Sequence, residues 1–160
     1  MRRHNAAPNL TLLLVTPLIL GAVHFTSPWP IVQAVVHVFL VLGLAPEFRS
    51  PLVGVCWAGL AGWVLEGSLR LYPHLGGTAL ANMIVCLLVT WTLTRWPPRE
   101  TRFYWGRMAV FTILHTALVH LTVRVAAGPH PWDSGAFWAL VLLPVWATLA
   151  FKIYRPRFRE

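Results

Sequence analysis

An all-α membrane protein, a compact bundle of six transmembrane helices, is the fold class this sequence predicts. Three observations predict it. The 160 residues are 57% hydrophobic and only 11% charged, where a soluble domain carries roughly 25% charged residues. The mean hydropathy is +0.62. The apolar residues also gather in blocks of about 15–22, the length that crosses a bilayer core.

The blocks place spans at about 9–26, 30–46, 51–72, 75–96, 104–127 and 134–154 in a single domain covering 1–160. The first block opens "MRRHNAAPNLTLLLVTPLILGAVHF", with a charged start and an apolar run like a secretory signal. It has no clean A-x-A cleavage site, so it reads as a retained first helix. The breaks that follow are "TSPWP", "PEFRSP", "YPHLGG", "RWPPRETR" and "AAGPHPWDSG", and proline and glycine at such points end helices and shape turns. Pro17 and Pro144 fall inside the first and last spans. Each is expected to kink its helix and free a carbonyl, often beside a cavity.

The charges orient the bundle. Arg2, Arg3, Arg49, Arg95, Arg99, Arg102, Arg107, Lys152, Arg155, Arg157 and Arg159 collect on one side, and only Arg70 and Arg124 on the other. By the positive-inside rule both termini are expected to face the cytoplasm. A net charge of +8 placed between apolar blocks serves topology and anionic lipids on the cytoplasmic face, not nucleic acid. Arginine suits bonding to lipid phosphate. Cys56 and Cys86 lie within apolar blocks without a CxxC pattern, so they read as small hydrophobes and no disulfide framework follows.

Two features of "GVCWAGLAGWVLEGSLR" carry the candidate sites. Gly54, Ala58 and Gly62 fall one helical turn apart, a small-residue face for close packing against a helix of this bundle or of a partner. Glu66 and Arg70 continue the stripe, with the acid first, the favourable order for an ion pair. A carboxylate at that depth costs about 2–3 kcal/mol unless paired or wet. The pair reads either as a snorkelling anchor or as the polar lining of an outward cavity or partner clamp formed with Trp63, His74, Asn82 and Arg124.

His24, His37, His115 and His120 lie in or near apolar spans. Haem ligation by His37 and His115 is compatible with their depth, but hydrogen-bonded interior histidines are the expectation, with Thr112, Thr116 and Thr122 as partners. Nucleophile and metal motifs do not occur: "EGSLR" is not GxSxG, and there is no HExxH, P-loop or paired carboxylate. The sequence therefore predicts no catalytic residue, no metal site and no cofactor. Trp29, Trp96, Trp105 and Trp132 sit where interfacial anchors belong.

"GLAGWVLEGSLRLYPHLGGTALANMIVCLLV" resembles the central signature of the MreD family, rod shape-determining membrane proteins of the bacterial elongation machinery. The parts are Gly59 and Gly62, the acid Glu66 (typically Asp in the family), Gly67-Ser68, His74-Leu75-Gly76 and Ala79-Leu80. "FWALVLLPVWATLAF" is similar to the closing helix with its internal proline, here Pro144. The resemblance implies a non-enzymatic scaffold of the cell-elongation and peptidoglycan-synthesis complex. Its implied partners are a bitopic MreC-type protein and the peptidoglycan synthase complex; homodimerisation stays open. The family's bundle also resembles the substrate-binding subunits of energy-coupling-factor transporters. That likeness implies the alternative, a membrane subunit that binds a small vitamin-type solute.

Overall fold

The computed structural model describes residues 35–47, 50–68, 76–98, 100–127 and 134–154. Every element among them is helical. The first expected span lies outside the described residues, as do Pro17 and His24.

Helix α1 (Val35–Leu44) is π-helical over Phe39–Leu44 and tightens into a 3-10 turn at Ala45–Glu47. Helix α2 (Pro51–Ser68) begins with proline at its first position, where the missing N–H costs nothing; Gly54 N–H donates to the Ser50 carbonyl at 3.1 Å. Helix α3 (Gly77–Arg95) follows Gly76, whose φ of 105° is a left-handed conformation that glycine adopts without strain. Helix α4 (Thr101–Ala127) has 27 residues, about 40 Å at 1.5 Å per residue. It outruns a bilayer core of about 30 Å and carries Arg102, Arg107 and Arg124 towards its ends.

The last expected span is two helices, α5 (Ser134–Val141) and α6 (Leu143–Tyr154), broken at Leu142. Pro144 has no N–H to continue the ladder. That leaves the Leu140 carbonyl, four residues back, without its usual donor; the neighbouring Ala139 carbonyl receives the indole N–H of Trp146 at 2.8 Å.

α2 and α3 form the most intimate pair, α4 packs on α3, and α6 lies against α4 and α1. Gly54, Ala58 and Gly62 are all buried. A Cβ placed on Gly62 would come within 2.5 Å of the Ala79 Cα and 2.9 Å of the Asn82 amide nitrogen. At Ala58 and Gly62 the small-residue face is thus consumed within the chain, against α3. In that role it is a packing face, and a partner helix has no access to it. Gly43 of α1 makes a similar approach to α6, where an added Cβ would meet the Ala150 Cβ at 3.0 Å.

The interior mixes small, polar and large residues. Buried groups include Ala58, Ala61, Ala79, Ala81 and Ala147 with His37, Glu66, Thr78, Asn82, Thr90, Thr112 and His115, beside Val85, Tyr104, Met108 and Trp146. Large apolar side chains face outward: Leu52, Leu60, Trp63, Leu87, Trp91, Val110, Ile113, Leu121 and Phe137 are exposed. Among the described residues, Gly77–Arg95 is the helix both long and apolar enough to cross a bilayer; Val35–Leu44 and Pro51–Gly67 are apolar but shorter. The all-helical class stands, and the six-crossing layout is a finer statement than these helices alone carry.

Candidate functional site: two polar centres inside the bundle

The N-terminal end of α3 holds the first centre. Its opening N–H groups have no partners within the helix. Glu66 reaches them from α2: Gly76 N–H donates to Oε2 at 2.6 Å and Thr78 N–H to Oε1 at 2.5 Å. The carboxylate is 1% exposed. Two charge-assisted bonds and the positive end of the helix dipole offset the cost of burying it. Gly77 keeps the approach open, since a Cβ there would meet the Thr122 hydroxyl of α4 at 3.0 Å.

The second centre lies one turn further along α3. Asn82 is fully buried and its amide N–H donates to the Ala58 carbonyl of α2 at 3.0 Å. That bond fixes which way the amide points. The His115 Nε2–H of α4 then donates to Asn82 Oδ1 at 2.7 Å. His37 Nε2 of α1 lies 3.2 Å from Asn82 Nδ2 and 3.3 Å from Oδ1. The two imidazole rings are 5.9 Å apart, tilted by 42°. One side chain on α3 thereby ties together α1, α2 and α4.

Asn82 was expected in a cavity lining and instead occupies this junction. The threonines expected to serve the histidines donate along their own helix, Thr112 to the Met108 carbonyl, Thr116 to Thr112 and Thr122 to Val119. Of the expected polar lining, Glu66 and Asn82 are buried, whereas Trp63 is 64% exposed and Arg124 is also exposed. Arg70 and His74 lie outside the described residues, so the Glu66–Arg70 pair does too. Among the described members, Glu66 and Asn82 lie inside the bundle and Trp63 and Arg124 on its outside. Glu66 is neither snorkelling nor open to an outer face.

One functional side chain escaped the sequence reading. Arg107 of α4, counted only as a topological charge, donates from Nη1 to the carbonyls of Thr92 at 3.2 Å and Trp96 at 2.6 Å. It caps the C-terminal end of α3, where cations are favoured. No sequence spacing links Arg107 to that end, because the two lie on different helices. Cys86 is buried and Cys56 exposed. Among the described residues, no three His, Cys, Asp or Glu side chains converge. The chain matches no family model, no curated protein and no solved structure.

Proposed function

We propose that the protein is a non-enzymatic, multi-pass scaffold of a bacterial inner membrane. It would serve the cell-elongation complex by binding a bitopic MreC-type partner and, through it, the peptidoglycan-synthesis machinery that regulates cell shape. The reading rests on the resemblance carried by Gly59, Gly62, Glu66, Gly67-Ser68, His74-Leu75-Gly76 and Ala79-Leu80. One observation supports it above the solute-binding alternative. The intramembrane acid is spent on backbone N–H groups of α3, and the small-residue face on Ala79, so both stiffen the bundle. Large apolar side chains stand on its outside, which suits lipid and neighbouring helices.

The test is co-purification of the full chain from native membranes in mild detergent, followed by identification of bound proteins. Recovery of a bitopic scaffold of the elongation machinery supports the reading. A monodisperse protein that repeatedly brings no such partner, even after crosslinking in the membrane, overturns it. Gly62→Leu is unsuited to this test, because it would disrupt α2–α3 packing before it reached any partner.

A further inference from the structure

Pro144 leaves a gap in the backbone hydrogen bonding of the last span. Its missing N–H deprives the Leu140 carbonyl of its usual donor. The next donor is diverted. Val145 N–H, which would ordinarily reach Val141, bonds to the Leu142 carbonyl at 3.0 Å, and Trp146 N–H joins it at 3.1 Å. The nearest side-chain donors of the span are engaged, the Trp146 indole on the Ala139 carbonyl and the Thr148 hydroxyl on that of Pro144. Among the described residues, the adjacent Leu140 and Val141 carbonyls are thus left without their usual donors. In a helix the carbonyl four residues before a proline lies under its ring, and Pro144 is exposed. The gap therefore opens on the outside of the bundle. Around it Phe137, Val141, Val145 and Leu149, each four residues from the next, form an exposed apolar ridge.

We propose that this break is the docking point of a partner's transmembrane helix. That helix lies along the ridge and donates a side-chain hydroxyl or amide N–H to the Leu140 and Val141 carbonyls. Lipid tails can cover the ridge but have no donor, and an unmet backbone carbonyl is costly in hydrocarbon. Water can donate, but it gains nothing from the apolar side chains beside the carbonyls. A helix with one polar residue satisfies both. Ridges of residues four apart are what helices pack into each other's grooves, and polar side chains bond across such interfaces in membranes. On the scaffold reading, on which this assignment rests, the helix is the single span of the bitopic partner.

The test places a photo-crosslinking residue at Val141 or Val145, with Leu87 on the exposed face of α3 as control. The full chain is irradiated in its native membrane and adducts are identified by mass spectrometry. Adducts to the bitopic partner are expected to be at least fivefold stronger from Val141 and Val145 than from Leu87. Pro144→Ala returns an N–H to Leu140. It should leave stability to unfolding equal or higher, yet cut adduct and co-purification at least fivefold. Replacing each Ser, Thr, Tyr, Asn and Gln of the partner's span by Ala should reproduce that loss at one position. The docking site is overturned, and the scaffold reading kept, if the partner co-purifies but its adducts favour Leu87 or are equal or absent at all three positions. It is also overturned if folded Pro144→Ala binds as wild type, or if no Ala replacement in the partner weakens binding. If no bitopic partner co-purifies at all, the scaffold reading falls and the docking site with it.

Discussion

The two ends of α3 are held by opposite charges in different surroundings. At the N-terminal end Glu66 receives two backbone N–H groups and is 1% exposed. At the C-terminal end Arg107 donates to two carbonyls while only half-buried. Both satisfy the orphan groups of a helix end and both complement its dipole. The difference is what stands in when the side chain is removed. Beside Arg107 water can reach the carbonyls; beside Glu66 the Thr78 N–H is buried and that of Gly76 partly so. A buried cap is therefore indispensable in a way that an accessible one is not.

Glu66→Ala should produce the largest effect. It strands the buried N–H of Thr78 and the part-buried N–H of Gly76, at about 3 kcal/mol on the scale of unmet buried hydrogen bonds to a charged partner. Thermal or SDS unfolding of the detergent-solubilised protein should show this as a large loss, with Glu66→Gln intermediate because its amide oxygen still accepts. Equal stability of Glu66→Ala and wild type would break the comparison at its buried end.

Gly62→Ala comes next, at about 2 kcal/mol for overpacking. The new Cβ meets α3 backbone, at 2.5 Å from the Ala79 Cα and 2.6 Å from the Ala79 nitrogen, and backbone cannot rotate aside. Gly106→Ala is the control, since nothing lies within 4 Å of its Cβ position; it should match or exceed wild type, alanine being the better helix former. The same unfolding assay separates the two.

Asn82→Ala should cost about 1.5 kcal/mol, because interhelical hydrogen bonds in membranes are individually modest and this residue makes several. Its signature should be local. Amide hydrogen exchange should rise in α1, which loses its tie through His37, more than in the α2–α3 contact around Gly62.

These sites show how much could be read in advance. Glu66, Gly62 and Asn82 were all visible as oddities: an acid, a glycine and an amide in apolar runs. The buried face of α3 carries Thr78, Asn82, Cys86 and Thr90 every four residues, a spacing the sequence reading did not use. The partners of Glu66, Gly62 and Asn82 were not visible. Helical spacing couples residues on one helix, so it offered Arg70 to Glu66 and was silent on Gly76 and Thr78, which Glu66 bonds at the start of α3. The threonines near His115 were proposed as its partners for the same reason, although threonine in a helix readily bonds its own preceding turn. The π turn at Phe39–Leu44 has an ordinary apolar composition, "FLVLGL", and nothing local distinguishes it from α-helix.

Arg107→Ala should have the smallest effect, about 0.5 kcal/mol, typical of a cation at an accessible helix end. The carbonyls of Thr92 and Trp96 would lose Nη1, but Trp96 is 55% exposed, so water can take over at least that oxygen. The Trp96 backbone N–H still closes the helix on Thr92 at 2.9 Å. Arg107→Lys should recover little, because one ammonium has difficulty reproducing the guanidinium's span of both carbonyls. If unfolding showed Arg107→Ala to be as damaging as Glu66→Ala, burial would not be what separates the two caps. The dipole, which acts equally at both ends, would then have to carry the difference between a capped and an uncapped α3.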